Sequence, residues 1–172
     1  ESYPETHDPL TDPKYIYCGP HKMNDNLPES GLKVGQALLS PTRTYLPLIK
    51  RISEEIGTEL IGAVHCSGGG QTKCLRFGSK VKFIKDNLFR PPPIFREIQK
   101  VSQTSLKEMY QVYNMGHRLE IFCKSAHENT VLDIAKSLKI DAQVIGRTES
   151  SDVTNGKNQL DIKIGNETLK YG

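Results

Sequence analysis

Apolar positions along the chain follow two periods. Tyr45, Ile49, Ile52 and Ile56 recur at spacings of four, three and four, one face of an amphipathic helix. Pro47 would break a helix interior, but in the first turn its missing N–H has no intrahelical acceptor to lose. The spacing therefore predicts an N-cap at Thr44 and a stop at Gly57. Two Ser-x-x-Glu sequences, Ser105 to Glu108 and Ser125 to Glu128, read as capping boxes, the second opening a helix whose Val131, Ile134, Ala135 and Leu138 face the core. Pro91-Pro92-Pro93 presets φ for a helix carrying Ile94, Phe95, Ile98 and Val101. Strands are expected at Val81–Lys85, Arg118–Cys123 and Ala142–Thr148; in the second, Leu119, Ile121 and Cys123 lie opposite Arg118, Glu120 and Phe122. Near the end, Asn155-Gly156 is a turn signal, and Leu160, Ile162 and Ile164 alternate with Asp161 and Lys163. Gly165-Asn166 then turns into Glu167–Lys170, a terminal hairpin. Helices alternating with strands make an α/β domain with a mixed sheet and packed helices, whose core looks complete within the chain.

Residues 1–32 break this pattern. They are rich in Pro, Asp, Asn and Gly, with one β-like run, Lys14-Tyr15-Ile16-Tyr17-Cys18, and read as an extended arm or inter-domain segment with an edge strand. Residues 33–172 are then one domain. A chain of 172 residues buries roughly 70% of its unfolded surface and needs no staple. With 36% hydrophobic and 25% charged residues and no repeat, the composition excludes disordered, collagenous and solenoid classes. No run of about 18 apolar residues suits a membrane span, and Glu1-Ser2-Tyr3-Pro4 does not read as a signal peptide. A start without Met hints that something upstream has been removed. Net charge is only +3, without a clustered basic field, which argues against nucleic acid but leaves small anions open. The cysteines, Cys18, Cys66, Cys74 and Cys123, form no CxxC pair, and His65, Cys66 and Cys74 lack a fourth ligand. Reduced thiols in a cytoplasmic protein, and no metal, are the expectation.

Chemistry is expected where glycine and polar residues converge. The apolar run Leu60-Ile61-Gly62-Ala63-Val64 leads through His65-Cys66-Ser67 into Gly68-Gly69-Gly70 and then Gln71-Thr72. Three glycines let consecutive N–H groups form a nest that no Cβ obstructs, and a helix starting near Gln71 would add its dipole. A plain surface turn is the other reading. His65 borders the loop as structural residue or substrate contact. Arg43, just ahead of a helix N-terminus, sits unfavourably against the helix dipole, which suggests an anionic partner. Asn114-Met115-Gly116 is either a simple connection or an amide aimed at a substrate.

Five segments occur together in order: Leu38-Leu39-Ser40-Pro41-Thr42-Arg43-Thr44-Tyr45, His65-Cys66-Ser67-Gly68-Gly69-Gly70, Pro92-Pro93-Ile94-Phe95-Arg96, Glu108-Met109-Tyr110 with Asn114-Met115-Gly116, and Val144-Ile145-Gly146. From about Gly31 to Gly146 the chain thereby resembles the C-terminal domain of the phosphoribosylformylglycinamidine cyclo-ligase (aminoimidazole ribonucleotide synthetase) family of purine biosynthesis. The resemblance implies a synthetase C-terminal-domain fold partly similar to the ferredoxin-like arrangement. It implies an enzyme that uses ATP and Mg2+ to close the imidazole ring of aminoimidazole ribonucleotide from formylglycinamidine ribonucleotide. The nucleotide and metal would be held mainly by an N-terminal ATP-binding domain, in a cytoplasmic homodimer. Family motif positions are Thr42, Arg43, His65, Gly68, Gly69, Gly70, Asn114 and Gly116. Arg43 and the glycines would bind anion, His65 would polarise or orient substrate, and Asn114 would offer a cleft-side hydrogen bond. The chain departs from the family where Gln71-Thr72-Lys73-Cys74-Leu75-Arg76 replaces the usual Leu-Thr-Glu-Asn, and where His117-Arg118 replaces small or apolar residues. A non-catalytic phosphate-binding or regulatory module of the same fold, or another ATP-dependent synthetase of the superfamily, are the alternatives.

Overall fold

The structure, a computed structural model, describes residues 8–12, 19–152 and 156–172. The β-like run Lys14–Cys18 and the Asn155 turn position lie outside the described residues. Helices α1 (Val34–Leu38) and α2 (Leu46–Ile56) precede strand β1 (Leu60–His65), a 3-10 turn (Gly70–Arg76) and β2 (Val81–Lys85). Next come α3 (Pro93–Ser102), α4 (Leu106–Val112), β3 (Leu119–Cys123), α5 (Glu128–Ser137), β4 (Gly146–Ser150), β5 (Gln159–Ile164) and β6 (Glu167–Tyr171). The fold is mixed α/β. Its strands divide between an antiparallel pair, β1-β3, and a four-stranded mixed sheet ordered β4-β2-β5-β6, in which only β2 and β5 run parallel.

Helix α2 buries Leu48, Ile52 and Ile56 and ends at Gly57, whose φ of 52° suits a residue without Cβ. Its N-cap is Tyr45 rather than the expected Thr44, because the first helical bond runs from the Ile49 N–H to the Tyr45 carbonyl at 3.0 Å. Ser105 caps α4 by accepting from the Glu108 N–H at 3.2 Å, as its box requires. The second box does not form. Residues Ser125–His127 wind as a 3-10 turn, so α5 begins only at Glu128, with His127 in the cap position and no side-chain cap bond. Pro92 and Pro93 open α3, as their fixed φ leads one to expect. The third expected strand starts at Gly146 rather than Ala142. The preceding residues are tied to the turn after β2 instead, where Asp86 and Asn87 N–H groups share the Ile145 carbonyl at 3.1 Å.

Strand β3 is apolar-facing on both sides. Leu119, Ile121 and Cys123 pack with α2 and α5 around Ile52 and Ala135, while Phe122 meets Phe83 of β2 edge-on at 5.6 Å. The second core, against the larger sheet, is built on Phe83, Met109, Tyr110, Met115, Leu160 and Ile162. Glu120, on the face opposite Leu119 and Ile121, is only 4% exposed. Residues 20–32 lie back along α3 of their own chain. Glu29 accepts from Arg96 through both oxygens at 3.0 Å, His21 meets Glu97 at 3.0 Å, and Leu27 is buried.

Candidate anion-binding site

Strand β1 delivers His65 and the glycine loop to one end of the molecule. Leu119 pairs with His65, and the Cys66 N–H donates to the Arg118 carbonyl at 2.9 Å, so Arg118 enters the same region. Its guanidinium reaches the Pro41 carbonyl at 3.4 Å, and the Tyr45 ring lies 6.3 Å from the His65 ring. The segment carrying Thr42 and Arg43 is thereby held beside His65. His65, Thr42 and Arg43 are all exposed. Arg43 turns its guanidinium away, donating to the Lys139 carbonyl after α5 at 2.9 Å.

Within the glycine loop the three residues have different tasks. Gly70 is buried with φ 48°, and a Cβ there would fall 2.3 Å from the Tyr113 carbonyl oxygen. Its N–H is committed to the Ser67 carbonyl at 3.0 Å. Gly70 therefore serves packing, which corrects its assignment as an anion donor. Gly69 has φ 95°, while a Cβ on Gly68 would meet nothing within 4 Å. Among the described residues the N–H groups of Gly68 and Gly69 have no backbone acceptor. The expected helix dipole is absent. A seven-residue 3-10 turn begins at Gly70 in its place, too short and too irregular to present one. Cations supply the positive field instead. Lys73 Nζ donates to Ser67 Oγ at 2.5 Å, and Arg76 Nη2 lies 3.9 Å from the Cβ position of Gly69.

The Asn114 turn supports the loop from behind. Asn114 Oδ1 accepts from the Gly116 N–H at 2.9 Å, and its main-chain carbonyl accepts from Gln71 Nε2 at 2.6 Å. Gly116, at φ 99°, leaves room for Pro92, which would lie 2.7 Å from a Cβ. The structure thus brings Asn114 and Gly116 against the loop's inner side, with structural contacts of their own.

Sequence reasoning missed the buried polar layer beneath. Lys85 is 3% exposed and donates to Gln71 O at 2.8 Å, to Gln71 Oε1 at 3.1 Å and to Glu120 Oε1. His117 accepts the Phe89 N–H on Nε2 at 3.0 Å; burial first, then the Lys85 charge, push its imidazole down to about 4, so it is neutral. Burial also raises the thiols of Cys66 and of Cys74, the latter to about 11, which leaves both inert. The signal for Lys85 is its place among apolar alternating residues of β2, where a cation is buried only if paired.

The family described as AIR synthase related protein, C-terminal domain, matches residues 20–157. Among curated proteins, phosphoribosylformylglycinamidine cyclo-ligase of Methanocaldococcus jannaschii is 36% identical over 149 residues, 87% of this chain and 41% of that protein. The enzyme of the same name from Methanopyrus kandleri is 28% identical over 81% of this chain and 39% of its own length. That from Methanococcus vannielii is 33% identical over 74% and 36%. The chain therefore spans about two fifths of the length of these relatives. With a matching profile across most of its residues, the chain belongs to the AIR synthase related C-terminal domain family.

Proposed function

We propose that this chain is the C-terminal half of an ATP-dependent cyclo-ligase that closes the imidazole ring of aminoimidazole ribonucleotide from formylglycinamidine ribonucleotide. The observation that carries the reading is the bend at Ser67-Gly68-Gly69. Among the described residues two adjacent N–H groups lack backbone acceptors there, no side chain stands over Gly68, and Lys73 and Arg76 flank the opening. Such a bend suits the phosphate of a ribonucleotide. In this reading His65 and Arg118 border the substrate, and Arg43 joins them on releasing the Lys139 carbonyl. Among the described residues no three His, Cys, Asp or Glu side chains converge. In this reading ATP and Mg2+ are held mainly by an N-terminal ATP-binding domain ahead of this one, in a cytoplasmic homodimer.

The test is thermal. Sulfate or phosphate should raise the melting temperature above that in chloride at equal ionic strength. Gly68→Val, which meets open space and so folds, should abolish the difference. Equal melting temperatures in all three salts would refute an anion site here.

A further inference from the structure

Strand β3 pairs only with β1, and β4 only with β2, so each has one free edge among the described residues. A cavity of about 570 Å³ lies along both: all of Leu119–Cys123 and Gly146, Arg147 and Thr148 of β4 line it. Helices α2 and α5 contribute Leu48, Val131 and Ala135 to its wall. Among the described residues both free edges therefore present rows of N–H and C=O groups open to pairing beside one cavity, and four of the five β4 residues are exposed. Glu120, which also lines the cavity, has its Oε2 buried without a partner.

We propose that this cavity is a strand slot, filled by an extended segment of about five residues from the part of the protein that its relatives carry ahead of this domain. Both edges are five residues long, which an extended strand of about 17 Å would match. An inserted strand pairs both edges at once and makes the two sheets one. Its side chains toward α5 are apolar, to meet Leu48, Val131 and Ala135. On the other face one small donor, Ser, Thr or Asn, reaches Glu120 Oε2. The occupant comes from the same protein because the matched 149 residues are 41% of the relative, and the matched family is a C-terminal domain. This inference rests on family membership and the two free edges, and stands whatever anion the glycine loop takes.

Hydrogen exchange read by mass spectrometry on the natural full-length protein, beside this 172-residue chain, tests it. In the full-length protein the β3 and β4 amides should exchange as slowly as those of inner strands β2 and β5. In the chain alone they should exchange on the order of 100-fold faster. Fast exchange of β3 and β4 in the full-length protein overturns the proposal. So does protection in the chain alone, whether constant, meaning residues of this chain close the gap, or rising with chain concentration, meaning a second copy fills it.

Discussion

Lys85 of β2 and Glu120 of β3 form a buried ion pair between the two sheets, and the same ammonium holds both oxygens of Gln71, directly behind the glycine loop. The three donors of the ammonium are all used, so the pair is satisfied on the lysine side. Its removal leaves an uncompensated buried charge on either partner, the costly case for such pairs.

Lys85→Met should therefore destabilise the fold by about 3–5 kcal/mol, and Lys85→Met with Glu120→Met should recover most of that loss. Urea unfolding of the single and double variants measures it. A double variant as unstable as the single one would mean that Gln71, not the ion pair, carries the cost.

The glycine loop separates folding from function by position. Gly70→Ala drives a methyl group into the Tyr113 carbonyl at 2.3 Å and should cost roughly 2–4 kcal/mol, at the strained end of single substitutions. Gly68→Ala meets nothing within 4 Å and should leave the urea midpoint unchanged. Equal effects at the two positions would contradict the division of roles.

Much of this is legible in the sequence, for physical reasons that can be named. Periodicity locates α2 because its buried face, Leu48, Ile52 and Ile56, is supplied by apolar residues alone. Ser105 caps α4 by accepting from the Glu108 N–H, whereas at Ser125 the 3-10 turn takes the cap away. The partition of the strands into two sheets is not legible, since pairing depends on non-local contacts that local alternation does not encode. Arg118 and His117 stand out along the chain only as departures from a family pattern. Their places, one reaching Pro41 and one accepting from Phe89, join segments 77 and 28 residues apart.

His117 should make the fold acid-sensitive above the usual carboxylate range. Its folded imidazole takes a proton only near pH 4, against about 6.5 when unfolded. Between these values the unfolded state binds more protons, so stability is present above about pH 6.5 and falls as the pH drops toward 4. The loss is on the order of 3 kcal/mol. His117→Gln keeps an acceptor for the Phe89 N–H but does not titrate. Its urea midpoint should fall less between pH 6.5 and about 4. Identical slopes for the variant and the natural chain would assign the effect to other groups.

Arg43 lies exposed and donates to the Lys139 carbonyl. Arg43→Ala should change stability by no more than about 0.5 kcal/mol, as at other surface sites. In the full-length enzyme the same change should raise the KM for the ribonucleotide, as loss of a substrate contact does. A marked fall in the urea midpoint with unchanged kinetics would make the residue a strap between the 41–45 segment and α5.

The chain by itself should not close the ring, even when folded. Ring closure driven by ATP needs a magnesium site of carboxylates, with cationic or backbone donors on the phosphates. Among the described residues the donors are present at the glycine loop, but the carboxylates are not. Glu120 is buried in its pair with Lys85, and Asp86 is held by Arg147 at 3.0 Å. The GxxxxGK[ST] sequence that cradles nucleotide phosphates is also absent. Purified chain mixed with ATP, magnesium and formylglycinamidine ribonucleotide should therefore yield ADP no faster than the reagents alone, and addition of the separately produced N-terminal half should restore turnover. Turnover by the chain alone would place a nucleotide site within these 172 residues and refute the division of labour.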